Sequence, residues 1–151
     1  MKKNSGNLFI AFGSSAVIAG GLLSAFSAHS AEYFTAWSVA YLVLVVGVVQ
    51  VALGIGVRNL AKHTPTFKQV LAAFLLFNFG NAAVITSTIL YYTSVIDGSY
   101  LVPIGSLLIA AAMVLFLWFV RGVKKSKSLK FYYALLCLVL VSVIAGLFLS
   151  M

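Results

Sequence analysis

Five long apolar stretches run along the chain, at about residues 8 to 28, 36 to 57, 69 to 95, 101 to 120 and 131 to 150, with short polar segments between them. Each is near the ~20 residues that a helix needs to cross a hydrocarbon core. The pattern predicts an all-α fold: a polytopic membrane helix bundle with five transmembrane helices, occupying residues 1 to 151 as a single membrane domain.

Composition sharpens this reading. Of the 151 residues 63% are apolar and 8% charged, so a water-soluble globule of this length would lack the interior to hide its apolar side chains. A bilayer accepts them on the outside of every helix.

Charge gives the expected orientation. Ten Lys and Arg stand against two acids. Lys2 and Lys3 precede the first stretch; Arg58, Lys62 and Lys68 lie between the second and third; Arg121, Lys124, Lys125, Lys127 and Lys130 lie between the fourth and fifth. With five spans these segments share one side, which the positive-inside rule assigns to the cytoplasm. The amino terminus is expected inside, Met151 outside, and both acids, Glu32 and Asp97, in the opposite loops. The expected location is the cell membrane. Basic inner loops suit anionic lipid headgroups, at ~1 kcal/mol per charge near the surface, and no soluble element presents them to nucleic acid.

Aromatic residues mark both interfaces: Tyr33, Phe34, Trp37, Tyr91, Tyr92 and Tyr100 at the outer level, Trp118, Phe131, Tyr132 and Tyr133 at the inner one. Pro103 falls in the first turn of the fourth span, where its missing N–H costs nothing, and Pro65 interrupts the inner loop. Lys2, Lys3, the first apolar run and Ala28-His29-Ser30 together resemble a signal peptide. The run is longer than the ~7 to 15 residues of an h-region, so it is read as a retained span.

Small residues recur at helical spacing: Ala16, Gly20, Ser24 and Ala28 in the first span, Ala40, Gly47 and Gly54 in the second, Ala73, Gly80, Ser87 and Ser94 in the third. Such stripes allow close helix approach, which makes spans one to three the expected compact part. The fifth span is almost uniformly Leu, Val and Ile, as befits a peripheral, lipid-facing helix.

The polar outliers within the spans are Gln50, Asn78 and Asn81, with Thr88 continuing the stripe of the third span. Gln50 is eight residues from Arg58 and Asn78 ten from Lys68, or about 12 and 15 Å at the helical rise, so the two can share one depth. They form either a polar site for a small solute or a set of interhelical hydrogen bonds worth ~0.6 to 2 kcal/mol each. No Lys, Arg, Asp or Glu lies at membrane depth, which removes the usual groups of proton relays and voltage sensors.

His29, Glu32 and Asp97 form a conceivable outer-face cluster, although these side chains need only water and no metal site is assigned to them. The single cysteine, Cys137, excludes an intramolecular disulfide. No paired carboxylate, Cys–His pair or phosphate loop is present, so neither catalysis nor a cofactor is expected. The chain reads as a non-enzymatic accessory protein or membrane-complex subunit, working as a homo-oligomer or with a membrane-protein partner. The alternative is a transporter or channel for a small solute.

Two segments, Ser24-Ala25-Phe26-Ser27-Ala28-His29 and Pro103-Ile104-Gly105-Ser106-Leu107, resemble motifs of a family of small bacterial inner-membrane proteins called domain of unknown function 423. The likeness spans roughly residues 8 to 120; Ser24 and Ser27 replace the family's glycines, its second-span His has no counterpart near Tyr41 and Leu42, and the fifth span is extra. It implies a four-helix membrane core and no known reaction.

Overall fold

The computed structural model describes residues 6–29, 33–61, 64–93, 100–124 and 126–149. Five helices account for nearly all of them, and each is long and apolar enough to cross a membrane. They are α1 (Asn7–Ser27), α2, α3 (Phe67–Thr93), α4 (Leu101–Phe119) and α5 (Lys127–Leu149). Among the described residues there is no strand.

Helix α2 is one rod of three stretches: α-helical Tyr33–Tyr41, π-helical Leu42–Val49 and α-helical Gln50–Leu60. The π stretch reads Leu-Val-Leu-Val-Val-Gly-Val-Val, in which branched Cβ atoms crowd the positions three and four residues away in a normal α-helix. A wider turn relieves that crowding. It also alters which residues share a face, because i→i+5 bonding takes more residues per turn.

Consecutive helices run antiparallel. Within the α1–α2 hairpin a Cβ on Gly13 would lie 2.8 Å from the Gly47 carbonyl oxygen, so the backbones approach as only glycine permits. The α3–α4 hairpin repeats the device: a Cβ on Gly80 would lie 2.7 Å from the Gly105 oxygen, and one on Gly105 2.6 Å from the Gly80 oxygen. Between hairpins the contacts are large side chains instead. Phe9, fully buried, meets Phe74 edge-on at 5.5 Å and Phe116 at 5.1 Å, a geometry aromatic quadrupoles favour.

This pairing corrects the expectation that spans one to three form the compact part. Gly80 belongs to a seam facing α4, which therefore joins the core through Gly105, Ile109, Met113 and Phe116. On α1 the buried stripe is Gly6, Gly13 and Gly20 with Phe9 and Ala16, while Ser24 and Ala28 are exposed, as is Ala40 on α2. Ser94 lies outside the described residues.

Helix α5 buries one stripe, Leu129, Tyr132, Leu136 and Val139, and leaves most of its surface open. Tyr132 departs from its expected interfacial place: it is 5% exposed, its ring lies against Gly56 of α2, and its hydroxyl donates to the Leu53 carbonyl at 3.4 Å. Its neighbours Phe131 and Tyr133 do remain exposed.

The helix ends follow local rules. Thr66 and Gln69 form a reciprocal capping box at the start of α3, with Thr66 N–H donating to Gln69 Oε1 at 2.8 Å and Gln69 N–H to Thr66 Oγ1 at 3.4 Å. Gly122, at φ 76°, stops α4 in the left-handed conformation. Arg58, Lys68, Arg121, Lys124, Lys127 and Lys130 thereby gather at one end of the bundle, at the closing end of α2 and α4 and the opening end of α3 and α5.

Candidate functional site

The amides of the predicted polar stripe are placed by two helices. On α3, Asn81 is 1% exposed and fully engaged: its Nδ2 donates to the Phe77 carbonyl at 2.7 Å and its Oδ1 accepts the Tyr41 hydroxyl at 2.8 Å. The second bond crosses from α2 and was not legible beforehand, because Tyr41 sits among apolar residues eight positions inside its helix. Its one signal was a phenol too deep for the headgroup level, where aromatic belts sit.

Asn78 is half-buried. Its Nδ2 donates back to the Phe74 carbonyl at 2.8 Å, while its Oδ1 has no partner among the described residues. Thr88 bonds its own helix, Oγ1 to the Val84 carbonyl at 3.0 Å. The stripe is thus mostly folded onto its own backbone, in the i−4 pattern typical of Ser, Thr and Asn in apolar helices.

Gln50 begins the last stretch of α2 and is fully buried, with neither Nε2 nor Oε1 hydrogen-bonded among the described residues. It joins neither Asn78 nor Asn81. Leaving a buried carboxamide unpaired costs ~1 to 3 kcal/mol.

Tyr41 also lines a cavity of about 340 Å³ among α2, α3, α4 and α5. Trp37 stacks on Tyr41 at 5.0 Å and shares that wall. Trp37, Tyr41, Val45 and Val49 line the cavity at four-residue steps, the last two of which run through the π stretch.

A second cavity of similar volume lies at the basic end, between the α2–α3 and α4–α5 connections, lined by Thr64, Gln69, Trp118 and Arg121 among others. It sets an exposed guanidinium beside an interfacial indole.

Of the outer-face cluster, His29 is exposed just beyond α1, while Glu32 and Asp97 lie outside the described residues. Among the described residues no three His, Cys, Asp or Glu group together. Cys137 is free and exposed on α5.

No protein-family model, curated protein or solved structure matches the chain.

Proposed function

We propose that this is a multi-pass protein of the cell membrane, with its basic end in the cytoplasm, that acts without catalysis as an accessory protein or complex subunit. The observation that carries the reading is the engagement of Asn81: both of its polar atoms are bonded inside the bundle, to Phe77 and Tyr41. Gln50 is sealed from solvent as well. A solute pathway would present these amides to water, whereas Asn81 is bonded within the bundle and Gln50 is shut off from solvent.

The clustering of Arg58, Lys68, Arg121, Lys124, Lys127 and Lys130 supports the orientation, since such charge accumulates on the cytoplasmic side. The cavity holding Arg121 and Trp118 supports anionic lipid headgroups as partners: guanidinium binds phosphate oxygens well, and indole rings favour the headgroup level.

The test is thiol labelling in a Cys137→Ser background. Single cysteines at Ser30, Gly98 and Met151 should react with an impermeant reagent from outside, and those at Ser5, Thr64 and Ser126 only after permeabilisation. An Asn78→Cys thiol should resist the same reagent; rapid modification from either side would replace this reading with a hydrated pathway.

A further inference from the structure

The cavity beside Tyr41 is built for more than packing. Its floor is buried: Val139 is 7% exposed, Ser106 4% and Ile109 3%. Its rim is open, because Leu44 of α2 and Leu138 of α5 line the same space yet are 58% and 64% exposed. The mouth therefore lies between α2 and α5. These two helices are pinned together at Gly56 and Tyr132 near the basic end and part from there on.

The depth of the mouth decides what can enter. Leu138 is eleven residues from Lys127 and eleven from Leu149, about 16 Å from either end of α5. That is the middle of a membrane-spanning helix, so the opening faces hydrocarbon and not water. An occupant must arrive dissolved in the bilayer, and among the described residues the lining includes no charged side chain to hold an ionised group.

The few polar groups of the lining set the chemistry of its end group. Tyr41 donates its hydroxyl proton to Asn81 Oδ1, and Ser142 donates its own to the Leu138 carbonyl at 2.9 Å. What each hydroxyl has left is oxygen lone pairs, which accept hydrogen bonds. Ser106 and Trp37, also in the lining, bring a hydroxyl and an indole N–H that can donate, and an uncharged end group on a lipid-soluble chain that both donates and accepts is an alcohol. The volume, about 340 Å³, is within the range of small-molecule sites.

We propose that this chamber binds a long-chain alcohol, alkyl or isoprenoid, that enters sideways from the bilayer between α2 and α5 and donates a hydrogen bond from its hydroxyl to the Tyr41 or Ser142 oxygen. The proposal does not depend on the accessory role, and it stands or falls by its own experiment.

Trp37 on the chamber wall provides the reporter. The protein has two tryptophans, and Trp118→Phe leaves Trp37 alone. The full chain carrying that substitution is reconstituted in phosphatidylcholine bilayers and titrated with bromododecanol, whose bromine quenches indole fluorescence on contact. The expected result is a saturable component above the linear quenching of bulk partitioning. Gly146 supplies the blocking variant: it lines the chamber, and a Cβ there would meet nothing within 4 Å, so the side chain of Gly146→Leu starts in open space.

Gly146→Leu should abolish the saturable component. Tyr41→Phe and Ser142→Ala should each weaken it about two- to tenfold, the worth of one hydrogen bond. Purely linear quenching in the parent, or a saturable component that survives Gly146→Leu, would overturn the site. Competition by dodecyl methyl ether as strong as that by dodecanol would overturn the assignment of an alcohol.

Discussion

The Tyr132 ring packs into the notch that Gly56 leaves on α2, and its hydroxyl reaches the Leu53 carbonyl one turn earlier. One side chain thus provides both the shape and the hydrogen bond that fasten the peripheral helix. A Cβ at Gly56 would fall within the ring, and the ring, fully packed, has little room to yield. Gly56→Ala should destabilise the protein by about 1 to 3 kcal/mol, the usual cost of overpacking. Thermal unfolding in mild detergent reads this directly. Gly21→Ala, where a Cβ meets nothing within 4 Å, is the control and should be neutral or slightly stabilising.

Tyr41 and Asn81 form a side-chain hydrogen bond between α2 and α3, so their effects should couple. Tyr41→Phe and Asn81→Leu, measured singly and together, should give an interaction energy of about 0.6 to 2 kcal/mol. Strict additivity would mean that the bond contributes nothing to stability in the bilayer.

Gln50 should behave in the opposite sense. An apolar side chain of similar size removes a buried unpaired carboxamide, so Gln50→Leu should raise the unfolding temperature, by an amount equivalent to roughly 1 to 3 kcal/mol. A fall in that temperature would show that the carboxamide is bonded in the folded protein.

At the basic end, Thr66→Ala removes one half of the α3 capping box. The expected cost is about 0.5 to 2 kcal/mol. Faster hydrogen exchange at the amides of residues 67 to 70 should accompany it, with the far end of α3 unchanged.

Much of the architecture was legible because the bilayer imposes it. Five apolar runs of spanning length became five helices, and the observed bounds of α1, Asn7–Ser27, and α4, Leu101–Phe119, differ from the expected ones by at most one residue at either end. What escaped the sequence was rotational. The position of a small residue says that a helix can be approached closely, not by which neighbour, and Gly80 packs against Gly105 of α4, outside the three spans expected to be the compact part. The π stretch at Leu42–Val49 has no marker such as proline, and it resets the faces of α2 on either side. Arithmetic with 3.6 residues per turn could therefore not align Gln50 with Tyr41 or with α3. For the same reason the polar stripe of Asn78, Asn81 and Thr88 was found, while its cross-helix partner Tyr41 was missed.

The unequal contacts within and between the two hairpins bear on how the chain is assembled during synthesis. Each hairpin closes on glycine backbones, so α1 with α2, and then α3 with α4, can complete their tightest contacts as soon as the second helix leaves the ribosome exit path. The aromatic seam around Phe9, Phe74 and Phe116 needs both units and forms later. Severing the chain between α2 and α3 would leave two pieces with their closest contacts intact, able to reunite inside the same membrane.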